Sequence, residues 1–269
     1  MVEIFDDIRK IYQFSAPCDE LANYIEFFSE SCMERTSRLM PAEHFYVKMF
    51  PSWTPTFWFN LGTPYRIESN NRSHFVSRDD DILLLRNTTV TRYVSADDHI
   101  FSIKFFPGGL EAVLGIDQTK LVNKILPLKS IIPPTVIAEI KKAHSYEERV
   151  NLLQGYFLIY VRKQNKREYY IKFVRDTMDA YQEEKLLFNT SEVAEKMFIT
   201  SKTINRYFNK VVGVSPKRYF SVVRARTALT QYVADAKRFD PGRFGYYDMS
   251  HFYKDVFNFT GQKPGEFAH

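Results

Sequence analysis

Residues 190–226 read TSEVAEKMFITSKTINRYFNKVVGVSPKRYFSVVRAR, and the reading of the whole chain turns on them. Thr190 or Ser191 can cap a short helix whose apolar side is Val193, Ala194 and Met197, with Phe198 and Ile199 closing it. Thr200 is a second cap, because its hydroxyl can accept from an unpaired backbone N–H of the next turn. A second helix then runs from Ser201 to about Val212. Ile204, Tyr207, Phe208 and Val211 fall at i, i+3, i+4 and i+7 and form one buried stripe. Ser201, Lys202, Asn205, Arg206, Asn209 and Lys210 take the opposite face. Gly213 ends the helix, and Ser215-Pro216 starts the next as cap and first residue.

From Thr200 to Arg226 there are seven basic residues and no Asp or Glu. A solvated helix face normally mixes both signs, so this run calls for an anionic partner. A helix-turn-helix whose second helix presents Arg, Lys and Asn fits the DNA major groove. Arg can pair bidentately with guanine and Asn with adenine. The other reading open to this stretch is a basic helical module that binds protein.

The segment TSKTINRYFNKVVGVSPKRYFSVVRARTAL resembles the first half of an AraC-type DNA-binding domain. GYYDMSHFYKDVFNFTGQKPGEF (245–267) resembles its second half, with Gly245, Asp248, Ser250, His251, Phe252, Phe259, Gly261, Pro264 and Phe267 at the family's spacing. The resemblance covers about residues 167–268. It implies two helix-turn-helix units joined by a long helix, each unit placing a recognition helix in the major groove. On it, residues 164–269 form the DNA-binding domain. The first unit is at about 190–212, the linker helix at about 215–236 and the second unit at about 240–267.

The second unit departs from the family's pattern. Where an amphipathic helix is usual, the chain has RFDPGRFGYYD, in which Gly242 and Gly245 leave room for one helical turn at most. Its recognition helix is expected to be capped by Asp248. His251, Phe252, Val256 and Phe259 would face inward, and Met249, Ser250, Tyr253 and Lys254 outward. Lys254 stands where the family usually has Arg, and a lone Lys binds phosphate better than it reads bases. Base readout is therefore expected mainly from Lys202, Asn205 and Arg206.

Charge divides the chain at the same place. The net charge is +5, but residues 162–269 hold 20 Lys/Arg against 12 Asp/Glu, and residues 1–161 hold 17 against 20. This asymmetry suggests a basic nucleic-acid-binding half and a second half with another task. In residues 44–106, HFYVKMF, PTFWFNLG, SHFVSR, DILLLRN, VTRYVS and HIFSIKFF are short runs rich in β-branched and aromatic residues, separated by turn residues. They predict a small barrel or sandwich, cupin-like in kind. LANYIEFFS (21–29) reads as a short helix running into a strand. FFPGGLEAVLGI (105–116) and FWFNLGTPY (57–65) resemble an N-terminal domain of some AraC-type regulators.

Two helices are predicted within 133–163, the first started by Pro133-Pro134 and the second capped by Ser145. In the second, Val150, Leu153, Phe157 and Val161, widened by Leu152, Tyr156 and Ile159, suit packing on the barrel and also a partner subunit. KQNKR (163–167) marks the domain boundary, so residues 1–163 form a β-rich sensor or dimerisation domain. A helix from about Glu168 to Lys185, with Ile171, Val174 and Met178 on one face, leads into the first unit. The fold class is thus α+β in two domains, an N-terminal small β-barrel or sandwich with flanking helices and a C-terminal all-α double helix-turn-helix.

Other classes find little support. Cys18 and Cys32 are too few for a disulfide framework, lack metal-ligand spacing, and read as reduced thiols of a cytoplasmic protein. The N-terminus MVEIFDDIRK does not read as a signal peptide, and no stretch reaches the ~18 apolar residues of a membrane helix. His44, His74 and His99 lie in or beside predicted strands, but no metal-binding motif joins them, and no nucleophile elbow or phosphate-binding loop occurs. Trp53, Phe57, Trp58, Phe59, Tyr46 and Tyr65 suit either a pocket or the core, and core is the expectation for most. We expect a non-enzymatic, sequence-specific transcription regulator without cofactor or metal. Its partners would be double-stranded DNA, a small-molecule effector, RNA polymerase and a second copy of the chain. Rival readings are a constitutive DNA binder whose N-terminal domain only dimerises, and a cupin-type metalloenzyme.

Overall fold

The computed structural model describes residues 11–31, 34, 36, 38, 44–95, 97–161 and 168–267. The β-rich part contains two antiparallel sheets. The larger joins β1 (Tyr12–Ser15), β2 (Ile25–Ser31), β9 (Ile100–Phe105), β4 (Pro55–Asn60), β7 (Ile82–Leu85) and β10 (Ile125–Pro127) in that order. The smaller joins β3 (His44–Met49), β8 (Val90–Ser95), β5 (Tyr65–Ser69) and β6 (Arg72–Val76).

The residue pattern explains why one sheet is central. PTFWFN, ILLL and IFSIKF are buried at every position. Alternate residues of a strand point to opposite faces, so a strand buried at both parities must be covered on both sides. One face of the large sheet, with Trp58, Ile82, Leu84 and Ile100, meets Val47, Met49, Tyr65, Ile67, Val76 and Val90 of the small sheet. The other face, with Phe57, Phe59, Leu83, Phe101 and Phe105, packs on helices. The small sheet buries one face against the large sheet: in β5 the buried Tyr65 and Ile67 flank the exposed Arg66.

The covering helices are α1 (Gly109–Leu114), α2 (Pro134–Lys142) and α3 (Tyr146–Val161). Pro134 begins α2, and the Ser145 hydroxyl accepts from the Glu148 N–H at the start of α3. Phe157 of α3 lies 5.7 Å from Phe105 and 6.4 Å from Phe57, ring centre to ring centre. Val150, Leu153 and Phe157 are buried, Leu152, Tyr156 and Val161 are half-buried, and Ile159 is exposed.

Between the sheets sits a buried ion pair. Arg92 gives Nη1 to Asp98 Oδ1 at 2.5 Å and Nη2 to Asp98 Oδ2 at 3.0 Å, and Nη2 also reaches the Tyr12 hydroxyl. Its guanidinium lies near the rings of Tyr65 and Trp58. Burial pushes the Tyr65 hydroxyl pKa well above the ordinary tyrosine value.

Three strands were not expected, β1, β5 and β10, while β2 extends the strand expected at the end of LANYIEFFS to Ser31. YRIES and YQFS are short and only half apolar, and ILP has three residues, so pairing with neighbours makes them strands. The predicted helix in LANYIEFFS is a series of turns ending at Tyr24, and the rest is β2. The boundary segment 163–167 lies outside the described residues.

The helical part consists of α4 (Glu168–Glu183), α5 (Thr190–Lys196), α6 (Ser201–Val211), α7 (Pro216–Ala234) and α8 (Met249–Thr260). Its apolar core is continuous with that of the large sheet, running from Phe105 and Leu110 through Ile171 and Val211 to Leu229 and Phe252. Among the described residues no helix is long and apolar enough to cross a membrane.

Candidate nucleic-acid interface

The first unit is α5, a turn and α6. Asn189, not Thr190 or Ser191, caps α5: its side chain accepts from the N–H groups of Ser191 and Glu192, and Glu192 reaches back to the Asn189 N–H at 2.6 Å. This reciprocal pair uses Asn189 and Glu192 three positions apart, a spacing legible in NTSE. The turn passes through Phe198 at φ 55°, with a side chain 95% exposed. Thr200 caps α6 by accepting from the Thr203 N–H at 3.2 Å. Ile204, Phe208 and Val211 are buried and Tyr207 half-buried. Gly213 stands at φ 87°, a conformation that favours glycine.

The polar face of α6 is accessible. Lys202, Asn205, Arg206, Asn209 and Lys210 are exposed and Ser201 is half-buried, its hydroxyl 3.4 Å from that of Ser191. The side-chain amides of Asn205 and Asn209 fold back on the helix, donating to the Ser201 and Asn205 carbonyls. Arg206 lies on the Tyr207 ring at 4.9 Å and donates to its hydroxyl at 3.2 Å. Lys210 differs from the rest. Its ammonium sits 3.7 Å from the centre of the Tyr170 ring, at a cleft lined also by Glu111 and Asp117.

The second unit lacks a first α-helix, as the glycines require. Pro241–Phe244 form one 3-10 turn capped by Asp240, and Gly245 follows at φ 70°. An aromatic cluster replaces the missing helix. Phe239 lies 4.6 Å from Phe252 and 5.7 Å from Phe244, and Tyr232 and Tyr246 close around Phe252. Asp248 caps α8 by accepting from the His251 N–H at 2.8 Å. Met249, Ser250 and Lys254 are exposed.

Two orientations differ from expectation. Tyr253 is half-buried, its hydroxyl sharing a 3.0 Å bond with Tyr232 that raises its pKa above the ordinary tyrosine value. His251 is exposed, not inward, with its ring edge-on to Tyr246. The cause is the cluster just described: Tyr232 and Tyr246 come from outside α8 and occupy the space that helical spacing alone assigns to other side chains.

The basic run also has partners within the chain. Arg224 donates to Asp255 at 3.1 Å and lies over Tyr246 at 4.6 Å, tying α7 to α8. Arg226 lines an interdomain cleft with Glu26. Lys202, Arg206 and Lys217 remain exposed. Among the described residues, no three His, Cys, Asp or Glu side chains gather closely enough to hold a metal ion, and His99 is paired with Glu30 at 2.9 Å.

Two cavities are relevant to a small molecule. The space between the sheets, bordered by Tyr12, Phe14, Trp58, Arg92 and Lys104, holds about 50 Å³. The cleft between the β-rich part and helices α4 and α7, bordered by Asn23, Glu26, Arg175, Asp179, Tyr219 and Arg226, holds about 290 Å³. Ligand pockets typically run from about 300 to 1,000 Å³. The space between the sheets therefore falls well short of that range, while the cleft lies just below it.

Residues 193–269 match the family model described as helix-turn-helix domain. Among solved structures, the chain is similar to ToxT from Vibrio cholerae, at 12% identity and TM-score 0.46, covering 84% of this chain and 97% of that one. It is similar also to unsaturated fatty acid-bound ToxT from Vibrio cholerae strain SCE256, at 11% and 0.44, covering 84% and 94%. The AraC-like transcriptional activator CuxR matches at 11% and 0.28, covering 82% and 87%. No curated protein matches the chain.

Proposed function

We infer that this chain, whose residues 193–269 match a helix-turn-helix domain, is a sequence-specific DNA-binding transcription regulator of AraC type that presents α6 and α8 to adjacent major grooves. One observation carries the reading: both helices are capped at their N-termini, buried on their apolar sides, and exposed at the polar residues that would meet base edges. Lys202, Asn205 and Arg206 supply most of the readout. Ser250 and Lys254 add phosphate contacts from the second unit. The α7 helix separates the two units. On this reading the protein works beside the bacterial chromosome, in the cytoplasm.

Regulation by a small molecule belongs to the same proposal. A ligand acts by preferring one arrangement of the protein over another. The interdomain cleft favours this reading over simple constitutive binding, because an occupant would touch β-rich residues and α7 together.

Selection of DNA from a random pool with the full-length protein, at two salt concentrations, tests the function. An enriched motif whose affinity falls steeply with salt supports it, since each neutralised phosphate steepens that dependence. No enrichment at either salt, for the apo protein or with candidate effectors, would overturn it.

A further inference from the structure

A helix leaves its last carbonyls without partners in its own backbone. In both recognition helices one such carbonyl is taken by a donor from the β-rich part. At the end of α6, the Gln118 side-chain Nε2 donates to the Val212 carbonyl at 2.9 Å. Near the end of α8, the Thr89 hydroxyl donates to the Phe259 carbonyl.

Each bond sits in a fitted junction. Gln118 is wholly buried, and its amide serves two further segments: Oε1 accepts from the Gly108 N–H at 2.7 Å and Nε2 also reaches the Trp53 carbonyl at 3.3 Å. Packing is close there, since a β-carbon at Gly108 would come within 2.7 Å of the Val211 Cγ1 methyl. At the second junction Lys48 Nζ donates to Gln262 Oε1 at 2.7 Å, and Phe50 packs 6.0 Å from Phe259. Burial there lowers the Lys48 pKa, with the charge of Glu266 opposing the shift.

The two recognition helices are thus held by their C-terminal ends on one body, and their N-terminal ends stay exposed. A helix of 11 residues, like α6, is about 16 Å long. A tilt of about 10° at its anchored end moves the other end by about 3 Å, the length of the hydrogen bonds that read a base. Small changes at these junctions therefore decide whether both helices can meet their grooves at once.

We propose that Gln118 and Thr89 are positioning residues for DNA recognition: through the C-terminal ends of α6 and α8 they set the separation of half-sites that the protein accepts. This rests on the DNA-binding reading above, and it gives the β-rich part a direct share in specificity. The competing view is that α7 alone sets the separation, with both bonds merely adding stability.

The test uses full-length protein and a duplex carrying the selected pair of half-sites, together with duplexes in which one base pair is inserted or removed between them. Thr89→Val keeps the shape and removes the donor, Thr89→Ser keeps the donor, and Gln118→Met keeps the bulk and removes the amide. We expect Thr89→Val and Gln118→Met to bind the selected duplex roughly fivefold more weakly, and the penalty for altered spacing to shrink severalfold. Thr89→Ser should restore the wild-type preference. Equal weakening at all three spacings, or an unchanged preference, overturns the proposal while leaving DNA binding intact. If Gln118→Met fails to fold, the Thr89 pair decides alone. Failure of the wild-type protein to bind any duplex would instead remove the DNA-binding reading, and this one with it.

Discussion

Arg206 rests on the ring of Tyr207 with its guanidinium already held in the open. Such preorientation reduces the side-chain freedom lost on binding, and suits a base contact better than a loose phosphate contact. Arg206→Ala should cost about 1–3 kcal/mol on the selected site and relax preference at one base position. Binding measured on the site and its single-base variants checks this, and equal weakening on every sequence would make Arg206 a phosphate contact. A second residue-scale expectation concerns the sandwich interior. Asp98 is the carboxylate partner of buried Arg92, so Asp98→Ala leaves a charge with little compensation. Breaking a buried pair in this way costs about 3–5 kcal/mol, to be read by denaturant unfolding. Loss below about 1 kcal/mol would mean that Tyr12 and the surrounding rings suffice. Arg206 could be named from its place in the helix, whereas no local pattern links Arg92 to Asp98 and Tyr12.

At the scale of elements, the two units support their second helices by different means. The first uses a capped helix, α5. The second uses one 3-10 turn and the aromatic cluster around Phe252. Phe239 is half-buried in that cluster, so Phe239→Ala should cost about 2–3 kcal/mol, below the figure for a fully buried phenylalanine. The loss should fall on the second unit. Footprinting is expected to show protection retained at the α6 half-site and weakened at the α8 half-site, and an unchanged footprint would show that α8 is held without the cluster. Helices α6 and α8 were legible, because caps, a 3-4 apolar spacing and a terminal glycine are local signals. The cluster was not, since Tyr232, Phe239 and Phe244 acquire meaning only when the end of α7 turns back on α8.

Across the whole molecule, the apolar core crosses from the large sheet into the helical part without a break. Two parts that share a core should not unfold separately. Full-length protein is expected to melt in one calorimetric transition with matching van't Hoff and calorimetric enthalpies. Two resolved transitions would mean that the junctions at Gln118 and Thr89 contribute little to stability. The charge asymmetry that suggested two functional halves remains true of the sequence, but part of the basic run is neutralised internally. Arg224 faces Asp255, and Arg226 faces the cleft with Glu26.

What the sequence determined by itself was whatever depends on near neighbours: the caps at Thr200, Ser215 and Asp248, the turn glycines, helices α6 and α8 and most of the strands. Each rests on backbone chemistry or side-chain periodicity within a few residues. Only the tertiary structure decided which face each strand covers, where Tyr253 and His251 point, and that Gln118 and Thr89 grip the ends of α6 and α8. Those contacts join residues 94 and 170 positions apart. They arise from burial shared between distant segments, and helical or strand periodicity does not encode them.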